Sequence, residues 1–158
     1  MNPRIDYNMH SPEMIQKLLE MSQLSAASSL DRTLADLVHI RASQLNGCAF
    51  CLDMHVKEAK IHGERELRLY HIPVWRESPL FSDKERAVLE WTEAVTQLSE
   101  AIPEELYQRV RQQLSEKEMA DLTFTIGIIN FWNRLNVSSP TTPGSRDAML
   151  GLTTADLK

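Results

Sequence analysis

The chain has 158 residues, 42% of them hydrophobic, which is enough to bury one core without disulfide crosslinks. Its net charge of -5, with acidic and basic residues mixed along the chain, argues against a surface for nucleic acid or anionic membrane. Five glycines without a phosphate-binding glycine loop argue against a nucleotide cofactor.

The first half of the chain carries several helix signals. Ser11-Pro12-Glu13 supplies an N-cap residue, a proline at the first helical position and an acid in the first turn. Asp31 can cap a second helix, whose apolar residues follow helical spacing and which should stop at Asn46-Gly47. We expect a third helix from about Cys48 to Gly63.

The middle of the chain continues the helical pattern after an interruption. A short helical stretch is predicted at residues 66–70, and Pro73 and Pro79 then break the pattern. Ser82 to Glu85 forms a capping box, which predicts the start of another helix.

Two more helices are predicted before the composition changes. Pro103 opens a short helix that runs to about Gln112, and Ser115 to Glu118 is a second capping box. The run 122–132 behind it is apolar nearly all round, which is typical of a helix covered by neighbours or by another subunit. Residues 138–158 are rich in Ser, Thr, Pro and Gly and are expected to form an irregular tail.

No segment shows the period-2 alternation of a strand, and no internal repeat is found. The sequence therefore predicts an all-α fold of six or seven helices, with one domain at residues 1–137 and a tail at 138–158. No leader pattern and no apolar run of membrane-spanning length are found, so we expect a cytoplasmic protein that does not bind membranes.

The two cysteines form the most informative motif, a C-x-x-C followed by a histidine. In a helix, Cys48, Cys51 and His55 are spaced so that all three side chains lie on one face. In a reducing cytosol such a pair is more often catalytic, redox-cycling or metal-binding than a static crosslink. The chain offers no βαβ unit, so the thioredoxin context for this motif is absent.

The string RASQLNGCAFCLDMH at residues 41–55 resembles a known family, together with Trp75-Arg76-Glu77 and the string NFWNRLN at 130–136. The resemblance is to the carboxymuconolactone decarboxylase superfamily, specifically its alkylhydroperoxidase D-like (AhpD-like) branch, and it covers roughly residues 12–137. It implies an all-helical AhpD-like oligomer, expected to be a homotrimer or a homohexamer. The decarboxylases that name the superfamily lack this cysteine pair, so decarboxylation is not the expected activity.

The resemblance also implies an antioxidant activity, the thiol-dependent reduction of hydrogen peroxide or a small organic hydroperoxide. Cys51 would attack the peroxide because it lies in the first turn of the third helix, where the helix dipole favours a thiolate. Cys48 would resolve the sulfenic acid as a disulfide, and a dithiol or thioredoxin-like electron donor would restore the thiols. No metal, haem or flavin is expected.

The proton path is assigned to His55 and Asp36. The family pattern places an acid, usually glutamate, twelve residues before the first cysteine, and here that residue is Asp36. The AhpD proteins commonly have a histidine before the second cysteine, where this chain has Phe50. The remaining histidines, His10, His39, His62 and His71, show no spacing that identifies a site.

Two alternatives remain open at this stage. Cys48, Cys51 and His55 could bind zinc, with His39, Asp36 or water as the fourth ligand. The departures at Asp36 and Phe50 also leave room for a redox-sensing or ligand-binding oligomer that is catalytically weak.

Overall fold

In the computed structural model, which describes residues 4–99 and 101–157, the chain is all-α, as predicted. Within those residues there are nine α-helices and no strand: α1 (Tyr7–His10), α2 (Pro12–Ala26), α3 (Arg32–Leu45), α4 (Ala49–Ile61), α5 (Glu66–His71), α6 (Asp83–Thr96), α7 (Glu104–Arg111), α8 (Glu116–Ser138) and α9 (Asp147–Leu150). The seven predicted helices are all present. The single-turn helices α1 and α9 were not predicted, and neither were the short 3-10 helices Ile72–Val74 and Leu152–Ala155.

The helix starts are fixed by the local signals in the sequence. The Asp31 carboxylate accepts a hydrogen bond from the backbone N–H of Thr33, and both capping boxes, at Ser82 and Ser115, are complete. Ser11 precedes α2, but its side chain makes no capping hydrogen bond. Proline at the first position is sufficient there because its missing N–H would have had no partner in the helix.

Helix α3 is the centre of the molecule and packs against α4, α6 and α8. Its Val38 and Ala42 join the apolar cluster built with α6, α7 and α8, whereas Leu37 and Ile40 join a second cluster with α4, Trp75 and Phe81. Burial of each such aliphatic side chain contributes about 1.5–3 kcal/mol. The position of α3 therefore determines where α4 lies.

Helix α8 is only partly covered by its own chain. Leu122, Ile126 and Ile129 are buried, but Phe124 and Phe131 are 66% and 47% exposed. Beside Phe124 lies an apolar groove of about 610 Å³ between α2, α6, α7 and α8. No helix in the described part of the chain is long and apolar enough to cross a bilayer.

The C-terminal tail folds back onto α4. The ammonium of Lys57 lies 2.8 Å from a carboxylate oxygen of Asp53 and 2.8 Å from one of Asp147, and the backbone N–H of Gly144 also donates to Asp53. Leu152 in the second 3-10 helix is buried. Residues 139–146 have no regular secondary structure, whereas α9 and the second 3-10 helix lie within the segment 138–158 that was expected to be irregular. The contact of this segment with α4 was not predicted.

We predict that Ser115→Ala lowers the free energy of unfolding by about 1 kcal/mol, because it removes the side-chain acceptor of the capping box. Urea denaturation followed by circular dichroism measures the change. Ser99→Ala, at an exposed serine in the loop after α6, is the matched control and should leave the midpoint unchanged. Equal stability of the two variants would contradict a capping role for Ser115.

Candidate active site

The two cysteines lie at the N-terminus of α4 and are joined by a disulfide. Cys48 is the N-cap residue, Cys51 lies in the first turn, and their Cα atoms are 5.4 Å apart. The backbone N–H of Cys51 donates to the Cys48 sulfur at 3.3 Å. Each cysteine is only 2% exposed, so the pair lies beneath the surface of the protomer.

The turn between α3 and α4 places Cys48 at the N-terminus of α4. Gly47 has a φ of +65°, a left-handed conformation that costs glycine little because it has no Cβ. The backbone N–H of Cys48 then donates to the carbonyl of Ser43 at 3.0 Å. The Asn46-Gly47 stop predicted from the sequence therefore also sets the start of α4.

An asparagine network ties this turn to α8. The Asn46 amide donates to the side-chain oxygens of Asn130 and Asn133, each at 2.9 Å. Asn133 is fully buried and donates in turn to the hydroxyl of Ser43 at 3.1 Å. Residues 41–55 and 130–136, which are far apart in the sequence, thus meet next to the cysteines. The second segment supplies the side-chain oxygens that accept hydrogen bonds from the first.

A charged cluster around Glu93 holds the segment Trp75-Arg76-Glu77 in place. The Glu93 carboxylate accepts hydrogen bonds from the guanidinium of Arg41 at 2.7 Å and the indole N–H of Trp75 at 2.8 Å, and pairs with Arg76 at 2.6 Å. Burial alone would raise the pKa of Glu93, but these partners outweigh it and hold the pKa below its ordinary value. The ionised carboxylate therefore joins α3, α6 and the segment around Trp75.

His55 lies one helical turn after Cys51 and is 7% exposed. Its Nδ1 is 2.6 Å from a carboxylate oxygen of Glu58, and its ring stacks on that of His39 with the centroids 4.4 Å apart. Burial, and then the nearby charge of His55, lowers the pKa of His39 well below its ordinary value. His39 therefore stays neutral beside His55.

Asp36, which was assigned to the proton path with His55, makes no direct hydrogen bond to His55. Its carboxylate is instead 2.8 Å from Nδ1 of His62, near the end of α4. The reason is geometric, because side chains of a helix tilt towards its N-terminus and those of α3 therefore tilt away from the Asn46-Gly47 turn. Burial is the main cause that raises the pKa of Asp36, although the hydrogen bond to His62 opposes it.

Three residues of this region were not assigned to the peroxidase site from the sequence: His39, Glu58 and His62. Glu58 could have been found, because it lies three residues after His55 and side chains at that spacing meet on a helix. The contacts of His39 and His62 depend on how α3 packs against α4, and no local pattern reveals them.

The zinc alternative receives no support from the arrangement of these side chains. Among residues 4–99 and 101–157, no group of three or more His, Cys, Asp or Glu side chains is placed to hold a metal ion. The two sulfurs that would serve as ligands are bonded to each other.

The sequence of this chain is similar to a known family and to known proteins. A model described as the carboxymuconolactone decarboxylase family matches residues 12–94. The uncharacterized protein YdfG of Bacillus subtilis (strain 168) is 40% identical over 139 residues, which is 87% of this chain and 95% of that protein. The uncharacterized protein YnjA of Escherichia coli (strain K12) is 34% identical over 110 residues, 69% of this chain and 60% of that protein.

One solved structure resembles this chain in both sequence and fold. It is a protein of unknown function from Agrobacterium tumefaciens, provisionally described as the antioxidant defence protein AhpD. The two share 38% identity with a TM-score of 0.86, over 90% of this chain and 98% of that one.

We predict that Asn133→Ala destabilises the oxidised protein by about 2 kcal/mol, because it removes the partner of the buried Ser43 hydroxyl and one of the two acceptors of the Asn46 amide. Urea denaturation measures the loss. Asn136→Ala is the matched control, since Asn136 is half-buried and its amide donates only to the carbonyl of Trp132 within α8. A loss no larger than that of the control would show that the network does not stabilise the turn.

Proposed function

Because the chain belongs to the carboxymuconolactone decarboxylase family, in its AhpD-like branch, we propose that it is a thiol-dependent peroxidase. Its substrate would be hydrogen peroxide or a small organic hydroperoxide, and its electron donor a dithiol or thioredoxin-like protein. The observation that carries the proposal is the Cys48–Cys51 disulfide at the N-terminus of α4, with His55 one turn further along. The description of the Agrobacterium tumefaciens protein supports the same activity class.

The cycle begins with the reduced pair. The Cys51 thiolate attacks the distal peroxide oxygen, the O–O bond breaks, and Cys51 becomes a sulfenic acid while the alkoxide leaves as an alcohol. The unpaired N–H groups and the dipole at the start of α4 favour the thiolate, and His55 takes the thiol proton and returns it to the leaving oxygen.

The second half of the cycle regenerates the thiols. The Cys48 sulfur attacks the sulfenic acid of Cys51, water leaves, and the disulfide forms. The Cα atoms of Cys48 and Cys51 are 5.4 Å apart across the first turn of α4, a separation that suits a disulfide. A donor dithiol then reduces the disulfide by thiol–disulfide exchange and is itself oxidised.

We predict that the two cysteines differ in the first oxidation. Cys51→Ser should abolish the stoichiometric reaction of the reduced protein with cumene hydroperoxide, because the attacking sulfur is gone. Cys48→Ser should react once and leave a sulfenic acid that dimedone traps, as mass spectrometry can show. Equal loss in both variants would contradict the assignment of Cys51 as the attacking thiol.

Turnover separates the peroxidase from a redox sensor. Sustained peroxide consumption with dithiothreitol as donor, lost in Cys51→Ser, is the result expected of an enzyme. A disulfide that forms once, with no further consumption, would favour the redox-sensing alternative that the departures at Asp36 and Phe50 raise.

We also propose that the protein assembles as a homotrimer or homohexamer through the exposed apolar part of α8. Phe124 is 66% exposed, and it lines the apolar groove together with Met21 of α2 and Gly127. Covering this apolar surface with another subunit would remove it from water and stabilise the assembly.

We predict that light scattering at micromolar concentration gives the mass of a trimer or hexamer. Phe124→Lys should shift the mass towards the monomer, because it places a charge on the apolar surface. Tyr70→Lys, at a 68% exposed aromatic residue on α5, is the matched control and should not change the mass. A monomeric wild type would overturn this proposal.

A further inference from the structure

Three side chains of α4 repeat at the spacing of one helix face. Cys51, His55 and Glu58 occupy positions i, i+4 and i+7, so the thiol, the imidazole and the carboxylate lie in one row along the helix. The order is that of a nucleophile, its base and a group that orients the base. Here one helix supplies all three.

The contact between His55 and Glu58 determines which ring nitrogen is available. Burial would raise the pKa of Glu58, but its hydrogen bond to His55 and the charges of His55 and His62 hold the pKa below its ordinary value. An ionised carboxylate only accepts hydrogen bonds, so Nδ1 of His55 must carry the proton. In the neutral ring Nε2 then keeps its lone pair, and it is the ring atom that can accept a proton from Cys51.

The other groups around His55 do not compete for this role. From α3, Asp36 is engaged by His62, and His39 stacks on the face of the ring, where it makes no hydrogen bond to Nδ1. From α4 itself, the ammonium of Lys57 is held between Asp53 and Asp147.

We infer that Glu58 is the positioning residue that orients His55 and fixes its proton on Nδ1, so that Nε2 serves Cys51. The assignment rests on the proposed roles of Cys51 and His55, and it moves the orienting carboxylate from α3 to α4. Asp36 then belongs to a second histidine–carboxylate pair, formed with His62.

The test is a titration that uses no peroxide. In the reduced Cys48→Ser protein only Cys51 absorbs as a thiolate, so its absorbance at 240 nm against pH gives the pKa of Cys51. Glu58→Gln and Glu58→Ala should raise that pKa by about one unit, which is about tenfold less thiolate at a pH below it. Glu58→Asp should restore part of the shift.

A second measurement does not depend on the reduced state. The ¹⁵N shifts of the His55 ring in the oxidised wild type should report a proton on Nδ1, and Glu58→Ala should move the ring towards the Nε2–H tautomer. A loss of packing alone would not select one tautomer, and thermal denaturation confirms that each variant is folded.

The controls decide between the two carboxylates. Glu90→Gln, which removes a surface ion pair with Arg109, should leave the pKa of Cys51 unchanged, and Asp36→Asn should shift it less than Glu58→Gln does. An unchanged pKa in folded Glu58 variants, or a larger shift in Asp36→Asn, would overturn the assignment. If Glu58 variants shift the pKa while the wild type consumes no peroxide, the peroxidase proposal fails and the role of Glu58 stands.

Discussion

The hydrogen bonds from Asn46 to Asn130 and Asn133 fix the point at which the chain leaves α3 and enters α4. Everything at the cysteine pair depends on that turn, because Cys48 caps α4 only when the preceding glycine directs it there. If Asn46 served only to end α3, many other residues could replace it. An asparagine that donates to two acceptors on another helix cannot, since its truncation leaves the buried side-chain oxygen of Asn133 without its donor.

Electrostatics divides the region around α4 into two histidine–carboxylate pairs with different properties. In the His55–Glu58 pair the carboxyl pKa is held low by its partners, and in the His62–Asp36 pair burial raises it. The first pair lies nearer to Cys51, and the second lies near the end of α4, where the side chain of His62 is 30% exposed. The Glu58 carboxylate thus keeps its negative charge, whereas the more buried Asp36 carboxyl takes up a proton more readily.

The sequence predicted the helices well because their signals are local. A capping box such as that at Ser115, or a stop such as Asn46-Gly47, acts within four residues and does not need the rest of the chain. The placement of the cysteine pair and His55 at the start of the third predicted helix follows from the same kind of local signal. The contact of Asp36 with His62 was not predicted. It depends on the tilt of side chains across the packed α3–α4 pair, and the resemblance supplied a residue type but not this chain's own contacts.

The ion pairs between Lys57 and the tail have a consequence for the order in which the molecule is completed. Asp147 follows Lys57 by 90 residues, so during synthesis the lysine has only the neighbouring Asp53 of this pair of carboxylates as a partner until Asp147 has emerged. Contacts of such long range form late, because the entropy of closing the loop must be overcome before they contribute. The helix that carries the cysteine pair therefore acquires its contact with Asp147 only after the segment that contains Asp147 has been synthesised.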